Sequence, residues 1–221
     1  MKNLMFGAML AVTAASQAST YFEDFQGSVG SEWSSTSVTA APSDANRKFL
    51  GVFSNDTVTL TLTGLNVGDT ATICFDLYLL NSWDGNQGGV GPDYFRMAVD
   101  GTDLLNTTFA NVTSYNQNYS AGNPLGGPSV AARTDADEQD TLGYNFYGNS
   151  VYKFGGAINS AFTATVTSST MVISFQGYGL QGWTDEGWGI DNVCVEAVPE
   201  PGTLAALALG GAALARRRRA K

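Results

Sequence analysis

The stretch TATICFDLYLL, residues 70–80, is the longest and most apolar run in the body of this 221-residue chain. Period-2 reading puts Ile73, Phe75, Leu77 and Leu79 on one face and Cys74, Asp76 and Tyr78 on the other. That is the alternation of a strand with one face on a core. Its length and apolarity predict a central place in a sheet. Outward from it, residues 21–25 read as a first strand, and residues 47–53 and 57–62 as a hairpin about Ser54-Asn55-Asp56 in which Val58, Leu60 and Leu62 alternate. Residues 94–99 and 103–109 flank Asp100-Gly101-Thr102, a hairpin turn. Late strands are predicted at 150–154, 161–167, 171–177 and 188–196.

No segment has helical periodicity, and a composition led by Val, Thr, Ser, Asn and Gly favours strands and turns. About nine strands without βα alternation or a repeat predict an all-β fold, an antiparallel β-sandwich. The first and last strands look like a matched pair, which points to a jelly roll. Residues 110–149 differ: they hold Pro124, Pro128 and the acids Asp135, Asp137, Glu138 and Asp140. A loop this long is functional or disordered unless strands are hidden in it, and at least one irregular strand is expected.

The ends are built differently. Met1-Lys2, the apolar residues 4–15 and Ser16-Gln17-Ala18 form a signal peptide, a helix cleaved after Ala18. This leaves residues 19–197 as the sandwich domain and 198–221 as a tail. The tail carries Pro199, Glu200 and Pro201, an uncharged run of Ala, Leu and Gly over residues 203–215, and Arg216, Arg217, Arg218 and Arg219. As a helix the run spans roughly 20 Å against roughly 30 Å of bilayer core, a short transmembrane segment that anchors marginally. The arginines would hold the terminus on the cytoplasmic side.

This order of parts resembles the PEP-CTERM sorting signal of exported bacterial proteins. The resemblance implies recognition by an exosortase-type membrane protease, transient membrane anchoring, and cleavage near Pro-Glu-Pro. The protein would then reach the cell envelope, the cell surface or an extracellular polysaccharide matrix.

Charge and cysteine content agree with an exported body. All 20 acids lie between Glu23 and Glu200, where only five of the 11 bases fall, so the body carries a charge near −15. Such a surface repels nucleic acid and anionic lipid. Cys74 and Cys194 permit one disulfide, the default outside the cytoplasm, with two free thiols as the alternative. Both sit on the more polar faces of their strands, so a bridge would join neighbouring strands on the outside of a sheet.

The chain has no histidine, which removes the usual general base, a common zinc ligand and every nucleophile–histidine pair. No nucleophile elbow or phosphate-binding loop is present. A two-carboxylate polysaccharide-active enzyme remains formally open, with Asp185 and Glu186 as the local candidates, but the expectation is a protein that is not an enzyme. Abundant oxygen ligands make structural calcium the expected cofactor. One candidate set is Glu23, Asp24 and Asp191; the other is Asp84, Asn86 and Asp93. Phe22-Glu23-Asp24-Phe25 and Gly189-Ile190-Asp191-Asn192-Val193 resemble the terminal strands of galactose-binding-like and MAM-like jelly-roll modules, which implies calcium at such acids. Trp83, Trp183, Asp185 and Glu186 are candidates for a sugar-binding surface, indoles beside carboxylates; the alternative is that these tryptophans, and Trp188 with them, plug the ends of the sandwich. The functional expectation is a non-catalytic surface or matrix protein, with a carbohydrate-binding module as the alternative.

Overall fold

The computed structural model describes residues 18–199. Strand β5 (Thr70–Asn81) is the axis of the larger sheet. Ala71, Ile73, Phe75, Leu77 and Leu79 alternate into the core with at most 1% exposure. On one side of β5 runs β14 (Glu186–Val198), paired with it from Glu186↔Asn81 to Val198↔Thr70. On the other side lie β11 (Asn149–Phe154) and β12 (Phe162–Thr165), which pair successive halves of β5. Beyond β14 come β3 (Asp44–Phe53) and β2 (Val38–Ala41). β1 (Ser19–Glu23) pairs the last part of β14, with Ser19 opposite Ala197, and β10 (Glu138–Gln139) borders β11. The order is β10-β11-β5-β14-β3-β2, with β1 on β14 and β12 on β5.

The second sheet holds β4 (Thr57–Thr63), β13 (Thr170–Tyr178), β6 (Tyr94–Val99) and β7 (Thr102–Thr108), in the order β4-β13-β6-β7. A third, two-stranded ribbon pairs β8 (Asn116–Gln117) with β9 (Val130–Ala131). Among the described residues the strand pairs are antiparallel throughout. Together the two large sheets make a β-sandwich whose inward faces share one core. Trp188 lies at its heart, with ring centroids 4.9 Å from Phe53 and 5.2 Å from Phe95 and its indole N–H on the Ser54 carbonyl at 2.6 Å.

Three expectations are corrected. Residues 47–53 and 57–62 do not form a hairpin: β3 lies in the large sheet and β4 in the small one, so Ser54–Asp56 crosses between layers. Alternation shows that each strand has a buried face and is silent on which neighbour it pairs. Tyr78, assigned to a polar outer face, is 1% exposed, because Phe49, Leu80, Leu142 and Val151 build a second apolar cluster there. The 110–149 interval supplies Leu142 to that cover.

The interval itself is ordered by buried polar side chains. The Asn111 amide donates to the carbonyls of Leu79 and Asn81 at 3.1 and 2.9 Å. Arg133 reaches the Asn111 carbonyl at 3.0 Å and the Asp140 carboxylate at 2.8 Å. Asn111 thus pins the interval to the end of β5, and Arg133 satisfies a loop carbonyl outside the ladders.

The third correction concerns the membrane. Among the described residues no helix is long and apolar enough to cross a bilayer, so the expected transmembrane helix is withdrawn; its length, roughly 20 Å, was already short of a bilayer core. The apolar run at 203–215, and all of the expected signal peptide 1–18 except Ala18, lie outside the described residues.

Candidate metal centre

At one end of the sandwich β5 runs out at Asn81, β14 begins opposite it at Glu186, and the loop from Ser82 to Asp93 leads into β6. The loop is closed by its own backbone. Asp93 N–H donates to the Gly85 carbonyl at 2.8 Å, Gln87 N–H to Asp84 at 3.2 Å, and Asp84 N–H to the Asp93 carboxylate. Gly85 is required: it has φ +67°, and a Cβ there would lie 2.0 Å from the Asn116 carbonyl oxygen. Trp83 clamps the loop from below, its indole N–H on the Gly187 carbonyl at 2.8 Å.

This architecture brings Asp84, Asp93 and Glu186 together, with one carboxylate oxygen from each within 4.8 Å of the others. Asp93 and Glu186 are fully buried and Asp84 is 7% exposed. One Glu186 oxygen accepts the Gln181 N–H at 2.5 Å and one Asp93 oxygen accepts the Asp84 N–H. The other oxygen of each, Asp93 Oδ1 and Glu186 Oε1, is buried and has no hydrogen-bond partner.

Among the described residues no cation offsets this charge. Arg47 and Lys153 bridge Glu138, Arg96 bridges Asp103, and Arg133 bridges Asp140, while Lys48 reaches the Gln26 carbonyl. Burial accordingly pushes the Asp93 carboxyl up to about 7 and that of Glu186 up to about 8, with neighbouring carboxylates adding to both. Asp84 is raised by burial and by Asp185. A cluster of this kind can hold a cation through hard oxygen donors. Two of its oxygens, Asp93 Oδ1 and Glu186 Oε1, have no access to solvent.

The sequence candidates separate here. Asp84 and Asp93 belong to the cluster. Asn86 does not: its amide donates to Asn118 at 2.9 Å and Ser129 at 3.0 Å. Glu186, read as a sugar ligand, is the buried third carboxylate. The signal for it was parity, since Glu186, Trp188 and Ile190 share one face of β14 and the latter two are core. A carboxylate on the apolar face of a strand needs a partner.

The other calcium set disperses. Glu23 accepts the Phe25 N–H at 2.8 Å and Asp24 the Gln26 N–H at 3.1 Å, each capping its own turn. Asp191 lies on the outer face of the large sheet, in a polar cleft of about 400 Å³ with Arg47, Asp76 and Tyr78. The sugar surface disperses as well: Trp83 and Trp188 are buried, Asp185 accepts the Ser82 hydroxyl, and Trp183 alone is open, at 62% exposure. Cys74 and Cys194 are register partners joined by a disulfide on the outer face of the β5–β14 pair.

Pro199 ends the described residues, and the rest of the tail, from Glu200 and Pro201 through Arg216–Arg219, lies outside them. Over residues 197–219 the chain matches the PEP-CTERM protein-sorting motif. No curated protein matches it in sequence. Among solved structures, the Cry4Aa toxin from Bacillus thuringiensis is 9% identical with a TM-score of 0.36, covering 82% of this chain and 24% of the toxin. Dimeric latent PorU from Porphyromonas gingivalis is 8% identical at 0.44, covering 86% and 13%. The CBM22-1 xylan-binding domain of Paenibacillus barcinonensis Xyn10C is 11% identical at 0.40, covering 84% and 99%. The chain thus spans a quarter or less of the first two, and likenesses at these scores carry no argument about its ligand. The tail does carry one: the chain bears a PEP-CTERM sorting signal, which implicates an exosortase-type partner and export to the cell envelope after C-terminal processing.

Proposed function

We propose that this protein is a non-catalytic β-sandwich, displayed at the cell surface or in the extracellular polysaccharide matrix once an exosortase-type protease has removed its tail. The observation that carries the reading is where the two terminal strands meet. β14 extends to Val198 and the sorting motif starts at residue 197, with no linker between them. β1 starts at Ser19, directly after the expected signal-peptidase site, and pairs with Ala197. Removal of both signals therefore leaves a domain whose two ends are strand-paired to each other.

The strand orders β11-β5-β14-β3 and β4-β13-β6-β7 support a jelly roll. The burial of Asp93 Oδ1 and Glu186 Oε1 supports a structural rather than a catalytic role for the carboxylate cluster.

The test is mass spectrometry of envelope protein from the native host and from a strain lacking its exosortase. The expected product in the first ends near Pro199. Envelope protein that retains Arg216–Arg219 in the native host would sink the reading. A second reading, a carbohydrate-binding module, is favoured by one feature, the exposed Trp183 indole. Saturable binding on a glycan array that is lost in Trp183→Ala would establish it; an array without binding would remove it.

A further inference from the structure

We propose that Asp84, Asp93 and Glu186 hold a calcium ion that locks the ends of β5 and β14 to the entry of β6. The proposal is independent of how the tail is processed. It rests on two separate observations: three carboxylate oxygens converging within 4.8 Å, and two fully buried oxygens, Asp93 Oδ1 and Glu186 Oε1, that have no partner within the protein. Buried carboxylates facing one another without a counter-ion are unfavourable. A divalent cation removes both the repulsion and the missing contacts at once.

The donor set selects the ion. Every donor is a hard oxygen, the chain has no histidine, and both cysteines are consumed in the disulfide, which disfavours zinc and other softer metals. Magnesium keeps several waters and demands a near-ideal octahedron, whereas calcium accepts irregular oxygen ligation at 2.3–2.6 Å. Donors from one irregular loop and from the start of β14, in a buried site, suit calcium. The ion also fixes the Gln181–Glu186 turn through the Gln181 N–H on Glu186, and with it the base from which Trp183 projects.

The experiment is thermal unfolding of the exported domain after chelation, with calcium or magnesium added back, for the native protein and for Asp84→Asn, Asp93→Asn and Glu186→Gln. Calcium at a hundredfold excess over its dissociation constant should raise the native Tm by roughly 5–10 °C, and magnesium at the same concentration by much less. The variants should lose the calcium shift while matching or exceeding the native Tm in chelator, because each removes a buried like charge. Terbium luminescence excited through Trp83, the neighbour of Asp84, provides a readout on native protein alone, and calcium should quench it by displacement. An unchanged Tm with calcium, a calcium shift that survives in all three variants, an equal response to magnesium, or terbium emission indifferent to calcium would each overturn the proposal.

Discussion

Removing the Cys74–Cys194 bridge, by Cys74→Ala with Cys194→Ala, should lower stability by about 3–5 kcal/mol. The magnitude follows from chain entropy. The bridge joins residues 120 apart, and closing a loop of that size in the unfolded chain is worth about 5 kcal/mol, the upper end of what native disulfides contribute. The folded state loses little, because both cysteines sit half-buried on the outer face and the pairs on either side of them, Asp191↔Asp76 and Val195↔Ile73, keep the strands in register. The assay is guanidinium unfolding of oxidised native protein against the double variant, compared through both midpoint and slope. The slope should rise, since an uncrosslinked unfolded chain exposes more surface. A loss below about 1 kcal/mol, or a large loss at unchanged slope, would refute the reasoning, since the second would place the effect in the folded state.

Burial pushes the Asp191 carboxyl up to about 6, partly countered by the Tyr78 hydroxyl it accepts at 2.9 Å, with Asp76 raising it and Arg47 lowering it. An acid raised on folding is more readily protonated in the folded state, so stability falls as pH rises from about 4 to about 6 and is level above. Asp191→Asn keeps the Tyr78 acceptor and should remove that slope, leaving the variant roughly 2–3 kcal/mol more stable at pH 7; parallel pH–stability curves would count against this. Gly177→Ala puts a methyl 2.6 Å from both the Ser54 carbonyl oxygen and the Trp188 indole nitrogen, the two ends of one hydrogen bond. The change should cost about 1–3 kcal/mol and alter tryptophan fluorescence, whereas Gly122→Ala, with nothing within 4 Å, should be silent in the same melts.

What could be read ahead of the structure followed from period 2. The alternating residues of β4, β5 and β13 go into the core, and the expected pairing of first and last strands is the β1–β14 ladder. The Asp100-Gly101 turn has φ of 48° and 83° at its two central residues, both in the region that a two-residue hairpin needs. Partners between layers were not readable, because an alternating strand such as β4 serves either sheet equally well. The outer face of β5 misled for a related reason: Tyr78 looks polar in a tyrosine-and-acid stripe until Leu142, from a segment without periodicity, covers it. The carboxylate cluster was half legible. Asp84 and Asp93 share one loop, while Glu186 arrives from the far end of the chain through the Glu186↔Asn81 pairing, a long-range contact that no local pattern encodes.

The disulfide and the proposed calcium act on the same pair of strands, near opposite ends of it. Cys74 and Cys194 tie the stretch where β1 also docks, and the carboxylates sit just past Asn81 and Glu186. Asn81 lies seven residue steps along β5 from Cys74, roughly 23 Å at strand rise, far enough for the two contributions to add. About 5 kcal/mol from the bridge and about 3 kcal/mol from a well-occupied ion sum to a large part of the 5–15 kcal/mol typical of a whole domain. Both contributions depend on the compartment, one on oxidising conditions and the other on calcium. The reduced, calcium-free chain should therefore be only marginally folded, and the full stability of the sandwich should appear after export, where the sorting signal sends it. Reduced protein in chelator should show the sum of the two separate losses; a loss no larger than either alone would mean that the two contacts stabilise the strand pair as one unit.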